Sequence, residues 1–197
     1  MKNKISASIM LHPKREKYRR YLIEALSGFN KVFVSVDRGL GLWDTAERAW
    51  AEYDASCDYH LVVQDDAIIC DNFYERLDRE IVKYPDIAYC LYMGNRDGVE
   101  RIINGWEARG GVMRRVFGWG VATCLSVRLV DDFLKFSKTS GMNDHDDGKL
   151  TLFARSISLP VWCPIPCLVS HRWDEASIME DGKISNKRQA IIYKQQL

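Results

Sequence analysis

The sequence predicts an α/β protein, a three-layer α/β/α sandwich around a mostly parallel central sheet, and two observations carry that prediction. Strand-like and helix-spaced runs alternate through the first half of the 197 residues, the order that right-handed strand–helix–strand crossovers impose. The run Leu61-Val62-Val63 is continuously apolar rather than alternating, as a strand covered on both faces is.

Residues 5–11 form a β-capable run closed by His12-Pro13. Residues 14–26 then place Tyr18, Tyr21, Leu22, Ala25 and Leu26 at helical spacing before Ser27-Gly28 stops them. A second strand over 32–36 ends at Asp37-Arg38-Gly39, and a helix over 43–53 gathers Ala46, Ala49, Trp50 and Tyr53 on one face. The third strand, 59–63, runs into Gln64-Asp65-Asp66; Asp71 stands where an N-cap belongs before a helix over 73–82, and 88–93 is a fourth strand.

Residues 94–118 change character, with Gly94, Gly98, Gly105, Gly110, Gly111 and Gly118 set among Arg and Trp. They read as loops, with room for a hairpin, and as the segment suited to function. Beyond them come a strand over 121–127, a helix over 129–136, a polar loop over 137–147, a helix over 148–156, and short strands at 161–163 and 168–169 around Pro164 and Pro166. We expect one domain over 1–173 and a polar tail over 174–197, within which 186–196 suits either an amphipathic helix or disorder.

Bulk properties exclude more than they assign. A chain of this length buries a core without disulfide or metal staples. With 47% hydrophobic and 28% charged residues it reads as globular, and a net charge of +1 argues against a protein that mainly coats a polyanion. The apolar runs fall short of the roughly 18 residues a membrane span needs, and Met1-Lys2-Asn3-Lys4 opens no secretory segment. The expected location is the cytoplasm, without membrane contact. Six cysteines read as reduced, buried thiols; the close pair, Cys163 and Cys167, matches no zinc spacing.

Gln64-Asp65-Asp66 leaves the most apolar strand at the carboxyl edge, where open α/β sheets bind ligands. Adjacent carboxylates stay ionised only beside water, an Arg or a hard cation. A magnesium or manganese ion bridging a diphosphate is the natural compensator, and solvated loop acids are the plainer alternative.

With these residues in order, the chain resembles the GT-A glycosyltransferases, the family-2 group in particular, and the small phage and bacterial, DNA-modifying enzymes with a Gln-Asp-Asp step. The resemblance runs from Ile5 to His171. It implies a Rossmann-like nucleotide-diphospho-sugar transferase fold and transfer from a UDP-sugar, UDP-glucose foremost. Asp37 in Val34-Ser35-Val36-Asp37 then reads uracil, and Arg48 in Thr45-Ala46-Glu47-Arg48 approaches the diphosphate. Asp66 is the principal metal ligand of the DXD-like motif, with Asp65 and Gln64 reaching ribose or metal-bound water. Gln64 departs from the acid-rich forms by one negative charge.

The same resemblance makes Phe117-Gly118-Trp119-Gly120 the acceptor-side strand, with Trp119 stacking on a sugar or base or simply packing in the core. Asp147, with Asp146 beside it, becomes the general base of an inverting enzyme, although Asp is also a common first-turn helix residue. His171 completes the metal site and Arg172 meets the donor phosphates. Lys14-Arg15-Glu16-Lys17-Tyr18-Arg19-Arg20 and Arg109, Arg114 and Arg115 lean towards double-stranded DNA with a hydroxymethylated pyrimidine such as 5-hydroxymethylcytosine as acceptor, in host cytoplasm for a phage enzyme. A cell-surface saccharide or lipid is the alternative acceptor. From other classes, a nucleotide-binding module without transferase activity is one alternative and a nucleotidyltransferase another; the latter would show a Gly-rich, basic phosphate loop near the first strand, which His12-Pro13-Lys14-Arg15 does not offer. A metal-dependent hydrolase would show a His-rich cluster, and the four histidines are scattered.

Overall fold

A computed structural model describes residues 2–94, 103–140, 145–172 and 189–195. Its elements run β1 (Ile5–Leu11), a 3-10 turn (Pro13–Tyr18), α1 (Arg19–Ala25), β2 (Lys31–Val36), α2 (Leu42–Ala51), β3 (Tyr59–Gln64), β4 (Ala67–Ile69), α3 (Phe73–Lys83) and β5 (Ala88–Cys90). They continue with α4 (Ile103–Ala108), β6 (Gly111–Arg114), β7 (Ala122–Ser126), α5 (Val127–Thr139), α6 (Asp146–Ser156), β8 (Val161–Pro164) and β9 (Val169–His171).

Seven strands form one sheet in the order β2-β1-β3-β7-β5-β8-β6. The β1–β2, β1–β3 and β5–β8 pairs are parallel, whereas β7 is antiparallel to β3 and β5, and β6 to β8. Five strands therefore share one direction and β7 and β6 oppose it.

Both faces of the sheet are covered, as the apolar run in β3 predicts. On one side Ile5, Ala7, Ile9, Leu61 and Val63 pack against Leu22 of α1, Leu26 just after it, and Phe73, Leu77 and Ile81 of α3. On the other, Val62 and Leu125 meet Trp50 of α2, Phe133 of α5 and Phe153 of α6. Alternate residues of one strand thus enter different cores, which is the period-2 geometry of a central strand. Phe133 is fully buried between Trp50 and Phe153 at ring distances of 5.6 Å, and its truncation costs about 3–5 kcal/mol.

Several expectations shift. The expected helix over 14–26 divides into the 3-10 turn and α1, because Arg15 breaks helical geometry at φ −112°, ψ 18°. The cap of α3 falls on Asn72, in the left-handed region at φ 52°, rather than on Asp71, whose N–H bonds the carbonyl of Gln195; Asn accepts that conformation more readily than most residues. The strand over 88–93 narrows to Ala88–Cys90, and the glycine-rich stretch contains α4 and β6, with 95–102 outside the described residues. β6 pairs with distant β8 rather than with a local hairpin partner. Gly111 permits this: at φ 153°, a Cβ there would lie 2.5 Å from the Cys163 carbonyl and from the Trp162 ring. In the tail, 189–195 is extended and not helical, since Ile191 N bonds Met93 O and Ile192 O accepts from Cys167 N. No helix among the described residues is long and apolar enough to cross a membrane, and all six cysteines are buried thiols.

Candidate active site

Two short strands create the centre of the site. After Gln64, whose N–H bonds Val121 O, the chain turns through Asp65 and Asp66 into β4, which pairs antiparallel with β9 so that Ala67 faces His171. That register brings His171 Nε2 to 3.1 Å from Asp66 Oδ2, while Arg172 N bonds Asp66 O at 2.8 Å. Residues separated by more than a hundred positions meet because of one three-residue ladder.

β1 supplies the third wall. Met10 is in register with Gln64, so the chain leaving β1 passes directly over the acidic step. His12 N donates to Asp65 Oδ2 at 2.6 Å, and Arg15 Nη1 lies 2.7 Å from Asp65 Oδ1 and 2.5 Å from Asp66 Oδ2. All three side chains are buried. Burial opposes charge on the guanidinium, but Asp66 and Asp65 override it and raise the Arg15 pKa. Burial also raises the Asp65 carboxyl, against the pull of Arg15 and His12. One guanidinium nitrogen thus serves two carboxylates.

The donors present suit a divalent ion. Nδ1 of His171 lies 3.0 Å from the Arg172 carbonyl, an oxygen that only accepts, so Nδ1 carries the hydrogen and Nε2 is the nitrogen turned to Asp66; metal-bound histidines are oriented in this way. The 3.1 Å separation of Nε2 and Oδ2 is close to the edge of an octahedron with bonds of about 2.1 Å. Among the described residues no group of three or more His, Cys, Asp or Glu side chains is arranged to hold a metal. Such an ion would therefore take Asp66 and His171 from the protein and complete its shell from a phosphate-bearing ligand and water, the habit of magnesium-type sites.

The other residues expected on the donor side are each held by near neighbours. Asp37 follows β2; its Oδ1 accepts from Gly39 N at 2.8 Å and Thr45 Oγ1 at 3.3 Å, and its Oδ2 lies 3.8 Å from His12 Nε2. Arg48 is engaged by Val36 O at 2.7 Å and Asp44 Oδ2 at 3.1 Å. The guanidinium of Arg172 stacks over Tyr18 at 4.1 Å and Tyr21 at 5.3 Å, tying β9 to the 3-10 turn.

The segment expected on the acceptor side connects to the same centre through aromatic rings. Tyr92 packs against His171 at 5.9 Å and edge-on to Trp119 at 5.8 Å, and Arg114 lies 5.7 Å from the Trp119 ring. Gly94 makes room: a Cβ there would come within 2.8 Å of Tyr92 Oη and 3.2 Å of Trp119 Nε1. Gly120 does the same for Asp146, whose Oδ2 would lie 2.5 Å from an added Cβ. Asp146 Oδ2 is sealed from solvent and accepts no hydrogen bond among the described residues, while Oδ1 accepts from Asp147 N at 2.8 Å. Burial, then the neighbouring Asp147, pushes the Asp146 carboxyl up to about 6. Asp147 is half-buried, and its backbone rather than its carboxylate is the part that meets Asp146.

Sequence reasoning missed His12 and Arg15 as site residues. Their signal was present, because a turn leaving the strand next to the acidic one emerges at the same sheet edge. Reading Arg15 within a surface basic run is corrected: it is buried on the acids, while Arg19 pairs with Glu16 at 2.9 Å and Arg20 with Glu24 at 2.7 Å. A cavity of about 320 Å³ lined by Met113, Arg114, Arg115, Ser158 and Pro160 opens along β6 and includes none of the acidic-step residues.

No family profile and no curated protein sequence matches the chain. Solved structures do. The catalytic domain of Drosophila beta1,4-galactosyltransferase 7 with xylobiose aligns at TM-score 0.54 and 11% identity over 86% of this chain and 71% of that one. A mutant of that enzyme with manganese, UDP-Gal and xylobiose aligns at TM-score 0.51 and 10% identity over the same shares. A197 from STIV aligns at TM-score 0.55 and 12% identity over 97% of this chain and 94% of its own. The chain has the GT-A glycosyltransferase fold.

Proposed function

We propose that the protein is a metal-dependent glycosyltransferase that moves a sugar from a UDP-sugar to an acceptor hydroxyl by inversion. The observation that carries this reading is the buried acidic pair at the carboxyl edge of a GT-A sheet, bridged by Arg15 and flanked by His171. The galactosyltransferase of the same fold, captured with manganese and UDP-Gal, supports both the ion and the uridine donor.

Asp66 and His171 would hold the ion, with Asp65 beside them; when bound, manganese or magnesium offsets the charge that builds on the leaving diphosphate. Asp37 is assigned to the uracil, Gln64 to the ribose, and Arg48 and Arg172 to the diphosphate side, where guanidinium suits phosphate oxygens. Trp119 offers a face on which the acceptor stacks. Of the two acids at the start of α6, we assign the base to Asp146: its Oδ2 lies against Gly120, next to Trp119, and its carboxyl is pushed up to about 6, where a base both accepts and carries a proton. Asp147 positions it through its N–H. A single carboxylate of this kind takes the acceptor's proton as its oxygen attacks the anomeric carbon, the requirement of an inverting displacement.

Among donors, UDP-glucose is the first choice. A saccharide hydroxyl is the acceptor that the Trp119 platform favours. The 5-hydroxymethylcytosine of DNA draws less support, because Arg15, Arg19 and Arg20 of the basic run are engaged by acids of the same chain. UDP release measured with manganese across a panel of UDP-sugars, with simple saccharides or hydroxymethylated DNA added, tests the reading. Release that depends on both metal and acceptor supports it, and no binding or turnover of any nucleotide sugar would sink it.

A further inference from the structure

The turn that carries Arg15 is built unlike its surroundings. Its six residues are two short helical turns joined across a kink at Arg15, entered through Pro13 and capped by His12, whose Nδ1 accepts from Lys14 N at 3.1 Å. Arg15 itself sits at φ −112°, ψ 18°, in the sparsely populated bridge region that concentrates at functional sites. Its nitrogen touches the same oxygen, Asp66 Oδ2, that faces His171 Nε2. A divalent ion seated between Asp66 and His171 would meet that guanidinium at van der Waals range, with like charges in a buried setting.

We propose that Arg15 is an exchangeable cation: it neutralises the acidic step in the empty protein and moves from Asp66 to the donor's diphosphate as the metal takes its place. The inference rests on the nucleotide-sugar reading above and adds an order to it. Metal alone must displace a buried ion pair and binds weakly. Nucleotide alone meets a guanidinium already committed to two carboxylates. Together each relieves the other, since Arg15 gains phosphate oxygens as the acids gain a dication, and the coupling is reciprocal. The break in helical geometry at Arg15 gives the turn a point at which to pivot upstream of Tyr18 and α1, which Arg172 holds through Tyr18 at the turn's end and Tyr21 in α1. The benefit is an acidic pair kept compact in a cell where nucleotide sugar is absent.

The test is manganese binding followed by the electron paramagnetic resonance of the free ion, with and without UDP, for the wild type, Arg15→Gln and Arg15→Lys. The wild type should bind manganese weakly alone and at least about tenfold more tightly with UDP, the span of ordinary site–site coupling. Arg15→Gln should bind manganese alone about tenfold more tightly than the wild type and lose most of the UDP effect. Arg15→Lys, which keeps a charge and guards against a variant that does not fold, should fall between them. If wild-type protein binds UDP with manganese but both variants bind manganese alone no more tightly than it does, the exchange is wrong and the glycosyltransferase reading stands. If the wild type binds no manganese even with UDP, both fall together.

Discussion

The two acidic centres of this protein solve the same electrostatic problem in opposite ways. At the β3–β4 step, Asp65 and Asp66 are buried in direct contact with the Arg15 guanidinium, and Asp66 also faces His171 Nε2, so their charge is met by a cation. At the start of α6, Asp146 Oδ2 lies against Gly120 with no hydrogen-bond partner among the described residues, and burial raises the pKa to about 6, so the carboxyl holds a proton more tightly than an ordinary aspartate. Under the proposed function, the difference assigns each acid its role. A carboxylate matched to cations is built to hold one, and a carboxylate matched to a proton is built to move one.

Breaking the first centre should have the largest effect. Asp66→Asn removes the oxygen charge shared by Arg15 and His171, and we expect transfer to fall about a thousandfold, ~4 kcal/mol in the barrier, with manganese-dependent UDP binding lost in a calorimetric titration. Breaking the second should separate binding from chemistry. Asp146→Asn is expected to lose about 10²–10⁴ in turnover while UDP and manganese bind as before; equal loss of binding would move Asp146 from base to ligand.

The second centre also predicts a pH signature. Because the folded pKa of Asp146, about 6, lies above that of an unfolded aspartate, the folded chain holds this proton more tightly. The resulting stability is complete below about pH 4 and is lost as pH rises towards 6. Asp146→Asn should therefore melt higher than the wild type above pH 6, by up to about 3 kcal/mol of stability, and the two should converge near pH 4. Wild-type turnover should rise through about pH 6 and level off.

Smaller perturbations sharpen the comparison. Gly120→Ala places a methyl 2.5 Å from Asp146 Oδ2; a carboxylate displaced by about 1 Å should cost about 10²-fold in turnover and leave the acidic step's affinity for manganese intact. Trp119→Ala should raise the acceptor KM about fivefold, in line with one lost stacking contact, without changing the donor KM.

Much of the architecture is legible in the sequence for a physical reason. Helical spacing in α2, α3 and α5 and the unbroken apolar stretch of β3 are local records of what each element buries. The acidic step was legible for the same cause, since it follows the most buried strand. What escaped depends on distant partners. β4 has three residues and acquires meaning only against β9, and β6 is defined by β8 and by a Gly111 whose neighbours are Cys163 and Trp162. Arg15 looked like one cation among five because spacing does not reveal the single non-helical residue that turns it onto the acids. Asp146 and Asp147 are indistinguishable in sequence; the proximity of Gly120, more than twenty residues earlier, separates them.

The most direct measurement of the central claim is the anomalous scattering of manganese in crystals soaked with manganese and a UDP-sugar. The account predicts one strong peak within bonding distance of Asp66 Oδ2 and His171 Nε2, contacting the donor diphosphate, with Arg15 withdrawn from Asp66. A peak elsewhere, or a nucleotide bound away from the β3–β4 step, would contradict it.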